Sequence, residues 1–162
     1  MATTPFANMF TGNNVSVEVV KAPDKGVAST GFVEIPNLAS FPQAGGSEAQ
    51  IIEVKVFGEL YSRKIPGSRK TPDIDLKINW IPGNEVHEQL SKFAEDAELV
   101  QIRIKYYEDV SHKNGYFIVL NGYFTSNVCA GDMDKVVTLD YKFSVSGAPV
   151  ARGLIDPALL TV

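Results

Sequence analysis

The sequence predicts a mainly β domain, an antiparallel β-sandwich or barrel with one flanking α-helix. Three observations predict it. Apolar and polar residues alternate with a period of two in several separate stretches, most of the connections between them are short turns, and only residues 84–97 carry apolar side chains at helical spacing. With 162 residues, 44% of them apolar and 21% charged, the chain suffices for one domain, 1–162, with a sizeable core. Fifteen Lys and Arg against nineteen Asp and Glu give a formal charge of -4, which argues against a protein whose main task is to grip nucleic acid through its phosphates. It leaves room for one that lets nucleic acid pass. No stretch approaches the roughly 18 apolar residues of a spanning helix, so no direct membrane insertion is expected. The single Cys129 cannot close an intramolecular disulfide, and Met1 to Val20 holds no basic residue, so assembly in a reducing cytoplasm is expected.

In chain order, residues 1–14 read as an N-terminal arm, with Phe6, Met9 and Phe10 outside any periodic pattern. Val15, Val17 and Val19 alternate with Ser16 and Glu18 as a first strand, which Ala22 to Gly26 ends as a turn. Residues 30–46, punctuated by Pro36, Pro42, Gly45 and Gly46, read as short extended pieces and loops. Ile52, Val54 and Val56 form one strand and Ile74, Leu76, Ile78 and Trp80 another. Between them residues 58–72 read as a long basic loop holding Arg63, Lys64, Pro66, Gly67, Arg69 and Lys70. Loops of this length in a compact domain are mostly functional or simply mobile.

Asn84 is placed to cap the helix, with Glu85 and Glu88 in the first turn where the helix dipole favours them. Val86, Leu90, Phe93 and Ala97 share the face that packs on a sheet. The opposite face is acidic, Glu85, Glu88, Glu95, Asp96 and Glu98 against Lys92, and is either a solvated surface or a docking face for a basic loop. Val100, Ile102, Ile104 and Tyr106 alternate with Gln101, Arg103 and Lys105. Ser111 to Gly115 then makes a turn containing Asn-Gly. Tyr116 to Phe124 is the return strand, Cys129 to Asp132 a further turn, and Val136 to Val145 a long last strand. Residues 150–162 form a C-terminal tail. The total is about seven strands and one helix.

No catalytic or metal-binding residue, and no cofactor, emerges from the pattern. His87 and His112 read as surface residues and Cys129 as a small buried one. Asp73 with Asp75, and Asp132 with Asp134, lack the ligand count of a calcium loop. Gly-rich phosphate loops, Gly-x-Ser-x-Gly elbows and paired CxxC motifs do not occur, and Asn14-Val15-Ser16 matches a sequon without further support. The expectation is therefore not an enzyme, which would need Cys129 and a histidine to meet in space, but a subunit with partners. Complementary patches at different places on one surface give head-to-tail contacts, which close into rings or stack into filaments. The rival is a monomeric or dimeric β-sandwich binding module for carbohydrate or protein. Its aromatic platform would be drawn from Tyr106, Tyr107, Tyr116 and Tyr123, although adjacent tyrosines on a strand face opposite ways.

A strand ending in Trp-x-Pro-Gly (Trp80, Pro82, Gly83), an immediate helix, a strand pair with Gly122 in the second, and a last strand closing in Gly-x-Pro (Gly147, Pro149) follow in order. Over Ile74 to Pro149 this order and spacing resemble the major tail tube proteins of lambda-type long-tailed bacteriophages. In architecture the chain also resembles the ring-forming tube protein of type VI secretion systems. The resemblance implies a structural virion protein, assembled in the host bacterial cytoplasm, whose hexameric rings stack around a tape-measure protein into a hollow tail tube. It implies further partners in tail tip and tail terminator proteins, and viral DNA that passes without specific binding. Lambda-type proteins carry an additional immunoglobulin-like domain after the Gly-x-Pro strand, where this sequence ends at Val162; the tube function does not depend on it.

The resemblance also makes 58–72 an inter-subunit loop that orders on polymerisation, so Arg63, Lys64, Arg69 and Lys70 should be ordered in the tube. We expect Glu85, Glu88 and Glu95 of an adjacent subunit to be its acidic docking face. A lumen that does not hold DNA needs carboxylates, and Glu18, Glu53, Asp73 and Asp75 on the alternating strands are the candidates, with Lys55 and Lys77 among them.

Overall fold

The computed structural model describes residues 9–21 and 30–155. Most of the N-terminal arm, the turn at Ala22 to Gly26 and the end of the tail after Ile155 lie outside the described residues. Within them the elements run β1 (Val15–Lys21), β2 (Val33–Glu34), β3 (Glu48–Val54), β4 (Arg63–Lys70), β5 (Ile74–Asn79), α1 (Glu85–Asp96), β6 (Val100–Tyr107), β7 (Gly115–Asp132), β8 (Lys135–Val145) and β9 (Ala151–Leu154). The architecture is mainly antiparallel β with one helix, as the sequence predicts.

Seven strands form one sheet in the order β2-β1-β6-β7-β8-β5, with β9 added to β7; β3 and β4 form a separate two-stranded ribbon. The main sheet closes on itself. Val33 and Glu34 pair with β1 and Ile35 donates to the Val17 carbonyl. The same chain then crosses to β5, where Leu38 bridges Ile78, Asn79 N–H donates to Asn37 O at 2.8 Å and Ala39 N–H donates to Lys77 O at 2.9 Å. Residues 33–39 thus link the two edge strands, so the sheet is a barrel rather than two open layers, and closure removes the edges an open sheet would expose.

The core follows from the period of two. Val17, Val19, Ile74, Leu76, Ile78, Ile102, Ile104, Leu120, Leu139, Tyr141 and Phe143 all point inward and are buried. Phe124 meets Phe143 and Tyr141 edge-on at 5.1 and 5.7 Å between ring centroids, an arrangement that favours aromatic pairs. Helix α1 covers the barrel with Leu90 and Phe93. The Asn84 side chain accepts from the backbone N–H groups of Val86 and His87, and Ala97 ends the helix in the left-handed conformation.

Four local expectations are corrected. Residues 58–72 are not one loop: Arg63–Lys70 is a strand, paired antiparallel with Glu48–Val54, and Val56 lies beyond the strand's end. Pro66 and Gly67 disguise it; both are accommodated because the ribbon has free edges and a register shift between Ala49 and Ile51. Cys129 to Asp132 is not a turn but the end of an 18-residue strand, and Cys129 is exposed. His87 is not a surface residue: it is 1% exposed, its Nδ1 accepts from Ile81 N–H and its Nε2 lies 3.3 Å from the Pro36 carbonyl. The tail begins as a strand, β9, paired antiparallel with Tyr116 to Val119 of β7 in the same sheet.

Candidate functional site

Among the described residues no group of His, Cys, Asp and Glu is arranged to hold a metal ion, and no helix is long and apolar enough to cross a membrane. The aromatic platform of the binding-module reading does not form. Tyr106 and Tyr107 are buried, and burial raises both phenols above the usual tyrosine range, with Glu18 and Glu34 adding to the rise at Tyr107. Tyr116 and Tyr123 are half-buried.

The conspicuous surface is the β3–β4 ribbon. Ile52 and Ile65 face each other across it, each about half exposed. Its tip, between Val54 and Arg63, holds Phe57, Leu60 and Tyr61, which are exposed almost completely (Leu60 98%, Tyr61 86%). An isolated two-stranded hairpin is marginally stable in water, and large apolar side chains gathered at one projecting tip mark an interaction surface.

The four basic residues expected in a single loop sit on this ribbon at two ends and on two faces. Arg63 and Lys64 are next to the tip, where Arg63 Nε donates to Glu59 at 3.0 Å and Lys64 is opposite Glu53. Arg69 and Lys70 are at the base, where Lys70 pairs with Glu48 at 3.3 Å. Paired residues share a face, and the register shift interrupts the alternation along β4, so Arg63 and Lys70 lie on one face with Val54 and Glu48, and Lys64 and Arg69 on the other with Glu53 and Ala49. They therefore form two small patches instead of one.

The acidic helix face is present and open. Glu85, Glu88 and Glu95 are all exposed, and Glu88, Glu95 and Asp96 line a shallow depression with Trp80, Pro82, Gly83 and Lys92. Trp80 and Ile81 at its end are partly exposed. The structure does not bring this face together with the basic residues of the same chain: none of the six ion pairs among the described residues joins them.

The four carboxylates expected in a lumen have different surroundings. Glu18 is buried at 9% exposure and held by Arg103 and Lys105, with Phe32 stacked at 4.3 Å on the Arg103 guanidinium. It has little charge to present to any surface. Glu53 is exposed on the ribbon and accepts from Ser62; Asp73 accepts from Ser144 Oγ at 3.0 Å; Asp75 is exposed opposite Lys142. Lys77 pairs with Asp140 at 3.8 Å.

Sequence reasoning missed a second concave site. A cavity of about 490 Å³ opens at the base of the ribbon between Gly45, Gly46, Ser47, Arg69, Lys70, Thr71, Ile118, Gly147, Ala148, Pro149 and Arg152. Its residues come from five separate stretches of chain, which no local pattern connects. Gly45, Gly46 and Gly147 all have positive φ (87, 78 and 81°), so glycine is favoured at each and the mouth stays free of side chains there.

No family model matches the sequence, and no curated protein matches it. Solved structures do share its fold. The tail tube of SPP1 superposes with a TM-score of 0.60 at 11% identity, over 91% of this chain and 80% of that one. A chain of the native gene transfer agent virion gives 0.62 at 12% identity, over 91% and 99%. A chain of the sheath–tube complex of the PVC extracellular contractile injection system, in its extended state, gives 0.60 at 15% identity, over 93% of each. The fold is thus that of tail tube proteins from phage tails and contractile injection systems.

Proposed function

We propose that this chain is the structural subunit of a phage tail tube: rings of six copies stack into the hollow conduit through which the genome leaves. The observation that carries the reading is the β3–β4 ribbon. A closed barrel that buries its own core nevertheless extends a hairpin whose tip is made of exposed Phe57, Leu60 and Tyr61, side chains that need a neighbour to cover them. The shared fold supports the same reading. Lambda-type tails, a tape-measure protein inside the tube, and tip and terminator proteins at its ends belong to this proposal, as does assembly in the host cytoplasm before incorporation in the virion tail. No catalytic step is assigned to the chain.

The tip of the ribbon is proposed to seat on the next subunit's acidic helix depression. Arg63 and Lys64 approach Glu88 and Glu95, while the apolar tip side chains cover Trp80 and Ile81. Contacts of this kind between half-exposed charges weaken as salt shortens the screening distance. Sedimentation velocity tests the contact. The wild-type chain is expected to shift to large species as concentration rises, and a triple variant Phe57→Ser, Leu60→Ser, Tyr61→Ser is expected to remain small with an unchanged circular dichroism spectrum. Equal association by both would remove the ribbon from the interface.

A further inference from the structure

We infer that the basic cavity at the base of the ribbon is a socket for the β7–β8 turn of a second copy. This rests on the tube reading and supplies it with a second, separate contact. Among the described residues neither Arg69 nor Arg152 has an ion-pair partner, and Lys70 has only the exposed Glu48, so the cavity mouth carries surplus positive charge beside an apolar wall of Ile118, Ala148 and Pro149. It calls for a projection with an apolar tip flanked by carboxylates.

Among the described residues one tight turn is such a projection. The turn joining β7 to β8 runs Asp132, Met133, Asp134, followed by Lys135. Met133 is 98% exposed, and Asp132 Oδ1 accepts the Met133 N–H at 2.7 Å, which stiffens the turn. Asp134 is exposed. An unbranched Met adapts to an irregular wall, and two carboxylates against two guanidinium groups form charge-assisted hydrogen bonds in a partly dry site. The acidic helix face is a poorer occupant, because it lines a depression of its own and has no projecting tip to insert.

Direction supports the pairing. Ile118 lies in the cavity and Asp132 ends the same strand, so socket and knob are separated by a contour of roughly 45 Å along β7 at about 3.3 Å per residue. A knob and a socket at opposite ends of one strand cannot satisfy each other within a subunit. They join copies head to tail, a contact that repeats along an axis until something caps it.

Engineered cysteines test the contact in the full-length chain. In a Cys129→Ser background, Met133→Cys combined with Ala148→Cys should give a ladder of disulfide-linked dimers, trimers and larger species under copper-phenanthroline oxidation. Each single variant should stop at dimers, and Met133→Cys with Glu88→Cys should give no ladder. Adding Arg152→Glu should abolish the ladder, and Asp134→Arg should restore it. A ladder from the Glu88 pair and none from the Ala148 pair, or one that Arg152→Glu leaves intact, would overturn the proposal. Electron microscopy of the same samples separates the two ideas. Tubes without the ladder remove this contact and keep the tube reading; the ladder without tubes or rings keeps the contact and removes the tube; neither removes both.

Discussion

At Gly122 the long strand β7 changes partners: the residue is opposite Val100 of β6 on one side and Val145 of β8 on the other. A Cβ there would collide with the Ser144 carbonyl oxygen and lie 2.8 Å from the Phe143 ring, so only glycine allows both strands to close in. Gly122→Ala should therefore lower stability by at least the 1–3 kcal/mol typical of overpacking, read as a lower denaturation midpoint. A second expectation at this scale concerns alkali. Burial raises the phenols of Tyr106, Tyr107 and Tyr141 above their unfolded value of 10.0, so the folded chain holds protons that the unfolded chain releases. Their stabilising effect is complete below pH 10 and is lost as pH rises through the folded values. Tyrosinate absorbance should therefore show these three phenols ionising at higher pH in the folded chain than in denaturant, with stability falling above pH 10. Identical titration curves for the folded and the denatured chain would contradict this. At single residues the sequence was an uneven guide. Val17, Ile78 and Tyr141 could be placed by alternation, but His87 and Cys129 were assigned to the wrong environments. A histidine three residues past a helix cap looks solvated until Pro36, fifty-one positions away, is brought to its ring.

Helix α1 was the most legible element, because its signals are local: Asn84 at the cap, acidic residues in the first turn and Leu90 and Phe93 on one face. Asn84→Ala should cost about 1 kcal/mol, since two backbone N–H groups lose their acceptor, and a thermal melt would show it. The β3–β4 ribbon was half legible. Its basic content and its first strand, through Ile52 and Val54, were visible, but Pro66 and Gly67 hid a second strand whose pairing depends on the register shift at Ala49 and Ile51. The exposed tip could not be foreseen either, since nothing in Phe57, Leu60 and Tyr61 distinguishes a core residue from an interface residue until the barrel is seen to close without them. The same holds for the socket, where Gly45, Arg69, Gly147 and Arg152 meet only through tertiary structure.

At the scale of the molecule the two surfaces have different tasks. The barrel needs no partner: residues 33–39 tie β1 to β5 and the core is complete within one chain. The ribbon tip and the β7–β8 turn, by contrast, expose Phe57, Leu60, Met133 and Val136, apolar side chains outside that core. Fold class and the order of elements from Ile74 to Pro149 were readable because short antiparallel connections leave few topologies open. Barrel closure was not, because it runs through residues 33–39, a stretch with no regular alternation. Charge belongs to this scale too. If the proposed contacts pair cations with carboxylates and these outweigh the mutual repulsion of subunits of net charge -4, assembly should weaken as salt rises, read as falling turbidity or sedimentation over a salt series.

Negative-stain electron microscopy of the purified chain, concentrated at low salt, tests the central claim most directly. The account predicts hollow rings with six-fold class averages, stacking into tubes. A field of compact single subunits at every concentration, unchanged when a tail-tip complex is supplied as a template, would contradict it.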